Sequence, residues 1–111
     1  MVIVNLEQGM PTVQSALINL RQSILTSRAR GIKAIKLIHG YGSSGKGGAI
    51  RTAVKRELIS FKQAGKIKEF VPGEEFSPFY ENARRAAELA PEILKDSDYF
   101  KTNHGITIVV L

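Results

Sequence analysis

The chain has no cysteine among its 111 residues. That excludes a disulfide framework, a cysteine nucleophile and every zinc site built on thiolates, and it fits a reducing compartment. Histidine is scarce: His39 and His104 are the only two, so imidazole chemistry has two candidate carriers. No apolar run approaches the roughly 18 residues of a membrane-spanning helix. The opening MVIVNLEQG lacks the basic start and long apolar stretch of a signal peptide. A cytoplasmic protein that does not associate with membranes is the expectation. Internal repeats and low-complexity tails are absent, and the length suits one domain, residues 1–111, with a modest core.

Acidic residues are missing selectively. The net charge is +6, but its distribution says more than its total. Residues 21–68 hold twelve Lys and Arg against one acid, Glu57. Residues 69–111 hold eight acids against four bases, and residues 1–20 only Glu7. Cationic charge concentrated in the middle of a chain suggests a polyanionic partner.

What is present alternates between two periods. VIVNL at 2–6 is a short strand rich in β-branched residues. Pro11 and Thr12 suit a helix start, and Val13, Leu17, Leu20 and Ile24 then form one apolar stripe that stops before Gly31. IKAIKLI at 32–38 is a second strand, which completes a β-α-β unit with parallel strands and a right-handed crossover. A second helix is expected over about 49–64, with Ile50, Val54, Leu58 and Phe61 on its buried face and Gly65 ending it. KIKEFV at 66–71 is a third strand. Residues 73–104 form an acidic, partly helical excursion in which Pro91 interrupts or ends the helical spacing. GITIVVL at 105–111 is a continuous apolar strand of the kind buried on both faces. The expected fold is a compact two-layer α/β domain, β-α-β-α-β-(helical insert)-β, with a four-stranded mixed sheet.

Between the second strand and the second helix lies His39-Gly40-Tyr41-Gly42-Ser43-Ser44-Gly45-Lys46-Gly47-Gly48. Glycines let a backbone approach a ligand closely, and the free N–H groups of a helix start attract anions. Lys46 and Arg51 add positive charge there. Arg51, Lys55 and Lys62 share one face of the helix and are suited to tracking phosphates or to being solvated. Gly40-x4-Gly45-Lys46 matches seven positions of a nucleotide-binding P-loop. The eighth is Gly47, which has no hydroxyl for Mg²⁺, and the third strand offers only Glu69 as an acid. A phosphate cradle is therefore expected, rather than a nucleotide hydrolase. Tyr41, at the loop tip, is placed either to stack on an unpaired base or to pack against its own domain.

The strand ending in His39-Gly40-Tyr41-Gly42, the small-residue loop and the helix opening with an apolar pair and Arg51 resemble the signature of the Smr (small MutS-related) family. Gly9-Met10-Pro11-Thr12-Val13 before the first helix and the closing GITIVVL are similar to that family too. The resemblance implies a nucleic-acid-binding domain, and endonuclease activity on DNA or RNA in some members. It resembles the stand-alone form of the domain. The family's second motif, LDxH, ends the first strand. Here the matching stretch is Val4-Asn5-Leu6-Glu7-Gln8-Gly9. Asn5 stands for the Asp and cannot act as a base, and Glu7-Gln8 stand where the His belongs, with one extra residue.

If the first three strands are parallel and the fourth returns antiparallel, Glu7, His39, the glycine loop, Glu74, Glu75, Asn103 and His104 converge on one edge of the sheet. His39, His104 and Glu7 are the candidate acid–base groups. The candidate nucleic-acid and phosphate-binding residues are Gly40, Tyr41, Gly42, Ser43, Ser44, Gly45, Lys46, Gly47, Arg51 and Lys55. No cofactor or metal is expected; a carboxylate–histidine site using Glu7, Glu74 or Glu75 is the lesser alternative. The acidic excursion beside the cationic loop is expected to act as a cover that competes with phosphates. The function expected is nucleic-acid binding, DNA or RNA, with weak endonuclease activity as an open question. The rivals are a non-catalytic binding or adaptor module and a phosphate or nucleotide binder.

Overall fold

A computed structural model describes residues 1–9, 11–41 and 46–111, with the backbone alone for 46 and 47. The elements are β1 (Val2–Asn5), α1 (Val13–Ala29), β2 (Ala34–Ile38), α2 (Lys46–Gln63), β3 (Glu69–Pro72), α3 (Glu81–Leu89) and β4 (Ile106–Val110). Short 3-10 turns at Gly73–Glu75 and Pro91–Lys95 flank α3. Thr12 caps α1 by accepting from the Ser15 N–H at 3.0 Å, which satisfies one of the donors a helix start leaves free. α1 and α2 are each followed by a glycine in the left-handed region, Gly31 and Gly65, both at φ +73°. A Cβ would be strained in that conformation, so the sequence terminates both helices where the glycines fall.

The sheet order is β1-β2-β4-β3. β1 and β2 are parallel, and β4 runs antiparallel to both β2 and β3. β3 therefore points the same way as β1 and β2. β4 occupies an interior position between strands, and all five of its residues are buried.

Alternation along the strands gives the sheet two apolar faces. Ile35, Leu37 and Val109 meet Ala16, Leu20 and Ile24 of α1 and Ile50, Val54 and Leu58 of α2. On the other face Ala34, Val71, Ile106, Ile108 and Val110 meet Phe76, Ala83, Ala86, Ala90 and Ile93. The excursion supplies those last five, so the domain has three layers where two were expected: alanines at 83, 86 and 90 let α3 lie close to the sheet, and without that cover the second face would be exposed. Pro91 ends α3 and opens the following turn, as its missing N–H requires.

One cation is inside this second layer. The Lys36 side chain, 8% exposed, is bound by Asp96 at 3.0 Å and by Asp98. Burial alone would lower the Lys36 pKa; the bonds to Asp98 and Asp96 outweigh it and hold the ammonium above the ordinary lysine range. Asp98 is buried in part, which would raise its pKa, but Lys36 and Asn103 hold it below the ordinary carboxylate range. Lys36, one of the twelve bases counted in the cationic stretch 21–68, is therefore an internal clip fastening the excursion to β2.

Candidate functional site

Because β1, β2 and β3 point one way and β4 the other, three strand ends and one strand start share an edge. Glu7 follows β1, His39-Gly40-Tyr41 follows β2, Glu74 follows β3, and Asn103-His104-Gly105 precedes β4. The expected convergence is thus a product of topology. Gly73 and Asn103 hold it tight: a Cβ on Gly73 would lie 1.8 Å from the Asn103 carbonyl oxygen, so the excursion departs and returns at one point.

The β1 corner is built by Asn5. Asn5 Oδ1 accepts from the Glu7 N–H at 2.9 Å, an Asx-type turn. Leu6 is buried and its N–H donates to the Ile38 carbonyl at 2.7 Å. Glu7 is thereby turned over Gly40, whose φ is +71° and where an added Cβ would sit 1.7 Å from Glu7 Oε1. Gly40 is needed for its left-handed backbone conformation; a side chain there would also displace the exposed end of Glu7. The His39 and Gly40 N–H groups both donate to the Gly105 carbonyl, at 3.0 and 3.1 Å, which ties the glycine loop's root to the start of β4.

His39 is 2% exposed. Its Nδ1 lies 2.6 Å from the Gly40 carbonyl and its Nε2 lies 2.8 Å from Thr107 Oγ1. A carbonyl only accepts, so Nδ1 carries the proton and Nε2 accepts from the Thr107 hydroxyl. Burial pushes this imidazole below the ordinary histidine range; the Gly40 carbonyl works against that shift and Arg51 adds to it. With both nitrogens engaged inside the fold, His39 anchors the loop. It has no free nitrogen for a substrate in this geometry, which counts against the acid–base role expected from the sequence.

The accessible groups are different ones. Tyr41 is 59% exposed, and its ring centroid is 6.4 Å from that of His104. His104 is half-exposed, and its Nδ1 is 3.8 Å from Glu74 Oε2. That same oxygen accepts from Arg51 Nη2. Glu74 Oε1 is buried with no hydrogen-bond partner among the described residues. Beside it, Arg51, Lys55, His39 and Thr107 line a pocket of about 10 Å³, room for about one water molecule. Glu75 turns away and accepts from Asn82 on α3 at 2.8 Å. Among the described residues, no group of three or more His, Asp or Glu side chains is arranged to hold a metal ion.

Gly42, Ser43, Ser44 and Gly45 lie outside the described residues, and of Lys46 and Gly47 only their place at the start of α2 is described. The cover expected of the excursion contracts to one carboxylate, Glu74, on Arg51. The excursion's body lies on the sheet face opposite α1 and α2, and Asp96, Asp98 and Glu75 are bound inward. Thr107 was missed by sequence reasoning. Its signal was a lone hydroxyl inside the apolar run ITIVV, a pattern that asks for a buried partner.

The family model for the Smr domain matches residues 8–75. The fold is similar to the crystal structure of the Smr domain of Thermus thermophilus MutS2, with a TM-score of 0.62 and 24% identity, over 100% of this chain and 98% of that one. No match was found among curated proteins. Among the described residues, no helix is long and apolar enough to cross a membrane. With a family model matching more than half of its length, and with the fold to go with it, the chain belongs to the Smr domain family.

Proposed function

We propose that this Smr domain binds nucleic acid at the sheet edge around the glycine loop, with binding as its main activity and cleavage weak or lost. The observation that carries the reading is the meeting at this edge of exposed Tyr41 and His104 with Arg51 and Lys55 of α2, His104 and Arg51 sharing Glu74. An aromatic ring and an imidazole suit unpaired bases, and the cations suit phosphates. Arg51 is held by Glu74, so an arriving phosphate exchanges one anionic partner for another. The near P-loop gives a small phosphate ligand as the rival. It predicts saturable nucleotide binding that does not grow stronger with polymer length.

The preference for binding over cleavage comes from two residues. Asn5, in the stretch that resembles the family's LDxH motif, offers an amide and no proton-accepting carboxylate, and both His39 nitrogens are occupied inside the fold. Any residual acid–base chemistry falls to Glu7 and His104. The test has two parts. Arg51→Ala and Lys55→Ala should each lower the slope of log K against log salt by about 1, and unchanged slopes in both place binding elsewhere. Labelled single-stranded RNA and nicked or branched DNA, incubated with and without Mg²⁺ and read on a denaturing gel, test cleavage. Wild-type cutting that His104→Ala and Glu7→Gln both leave at full rate refutes the assignment of chemistry to this edge.

A further inference from the structure

Only part of the cationic charge of residues 21–68 lies near the glycine loop, with Lys46, Arg51 and Lys55. Arg21, Lys36, Arg51 and Lys62 each have a carboxylate partner, in Glu57, Asp96 with Asp98, Glu74 and Glu69. Arg28, Arg30, Lys33, Lys66 and Lys68 have none among the described residues, and all five are exposed. Their places in the chain put them together at the other end of the sheet. Arg28 and Arg30 close α1, Lys33 leads into β2, and Lys66 and Lys68 lead into β3. Arg28 Nη1 donates to the Lys66 carbonyl at 2.7 Å and so joins the two groups. Four of the five, all but Arg30, line one open depression of about 340 Å³ whose floor includes Gly31 and Gly65. Beyond its chain neighbours, neither glycine has a heavy atom within 4 Å of where a Cβ would stand, so the space beside each is open.

Helix dipoles account for part of this. Two helices end here, and cations near a helix C-terminus are favoured by about 0.3–1 kcal/mol each. That covers Arg28, Arg30 and Lys66. It does not cover Lys33 and Lys68, which lie on strand approaches and add to the repulsion among five like charges. A bound polyanion relieves that repulsion. The depression is open, shallow and lined by flexible cations, which suits a repeating phosphate chain better than one small anion held on all sides.

We propose that this basic end is a second polyanion site that takes the phosphodiester backbone of a nucleic acid, at the opposite end of the strands from Glu7, Tyr41 and His104. It needs no contribution from the glycine-loop edge, so it stands or falls separately from the function proposed there. A domain with both sites holds two nucleic-acid segments at once.

The test compares wild type with Lys33→Glu/Lys68→Glu, with Arg51→Ala and with Lys55→Ala. The probes are a short fluorescent DNA duplex and a short fluorescent single-stranded RNA, titrated across a salt series, with anionic phosphatidylserine vesicles as a third arm. The double variant should bind at least one nucleic acid about tenfold more weakly at low salt, with the log–log salt slope reduced by about 2. It should also fail to join two differently labelled duplexes that wild type brings together. Loss in the double variant supports this site, and if Arg51→Ala and Lys55→Ala are both unchanged it also refutes the edge site; loss in Arg51→Ala with an unchanged double variant refutes this one. Unchanged nucleic-acid binding with lost vesicle binding overturns the proposal in favour of a lipid surface. Unfolding temperature is measured for every variant, and Lys33→Gln/Lys68→Gln replaces the charge reversal if that variant is unstable.

Discussion

Replacing Lys36 by methionine should be the most destabilising conservative change in the second core layer. Methionine keeps the unbranched stem and removes only the ammonium. Asp96 and Asp98 then face each other with 11% and 19% of their side chains exposed and no cation between them. Breaking a buried ion pair from one side costs about 3–5 kcal/mol. A domain of this size has a total stability on the order of 5–15 kcal/mol. The unfolding temperature should fall by about 12–20 °C. The pH dependence supplies a sharper sign. In wild type the Asp98 pKa is depressed in the fold, so its stabilisation is present above the unfolded pKa near 4 and is lost as pH falls through the lower folded value. The Lys36 pKa is raised, so its share is complete below 10.5 and is lost only as pH rises through the folded value. In Lys36→Met the paired carboxylates hold a proton more tightly than the unfolded chain does. Relative to wild type, the variant should gain stability as pH falls from 7 towards 5. Adding Asp96→Asn and Asp98→Asn should restore most of the loss, because asparagine can still accept from the backbone N–H at 98 and from Asn103. Thermal melts by circular dichroism across this pH range decide it. A loss below about 4 °C with a pH profile parallel to wild type would refute the reasoning and make the clip a solvated contact.

Thr107→Val removes the hydroxyl that donates to His39 Nε2 and leaves a buried acceptor unpaired; urea denaturation should show a loss of about 1–3 kcal/mol, and a neutral result would mean water replaces it. His39 is held neutral by burial, so the unfolded chain takes a proton near pH 6.5 that the fold resists. Stability should therefore decline as pH falls below 6.5, and His39→Gln should flatten that part of the melting profile. Gly73→Ala drives a Cβ into the Asn103 carbonyl and should cost about 1–3 kcal/mol that Asn103→Ala does not recover, since the clash is with main chain. A melt within error of wild type would mean the two ends of the excursion separate freely.

The order of elements was legible because each carried a local signal: β-branched runs for the strands, an apolar stripe for α1, glycines at 31 and 65, proline at 91. The residues meeting at the functional edge were legible once parallel strands were assumed, because strand polarity alone decides which ends coincide. Partners distant in sequence were not legible. Lys36 and Asp96 are sixty residues apart, and nothing near Lys36 distinguishes it from an outward lysine. His39 carries the family motif, and only the register placing Leu37 opposite Thr107 shows that its ring is enclosed. The basic end escaped notice because Arg28, Lys33 and Lys68 come from separate elements and look evenly scattered along the chain. The third layer was missed because α3 is built on alanines, whose weak apolar signal conceals how much sheet they cover.

The placement of β4 constrains how the domain can come into being. Among the described residues, β3 pairs with no strand except β4, and β2 is joined to β3 through it. Before residues 106–110 have left the ribosome, β1 and β2 are the only described strands able to pair, and β3 has no edge to join. The partnerships that close the fold span long stretches of chain, a topology associated with slow folding. Without β4 the pairing of the sheet stays incomplete, so a piece that stops short of residue 106 should be cut by proteases faster than the whole domain. The same geometry makes the domain separable: a fragment lacking β4 and a peptide carrying GITIVVL should each be unstructured alone and should fold on mixing, the peptide sliding between two waiting strands.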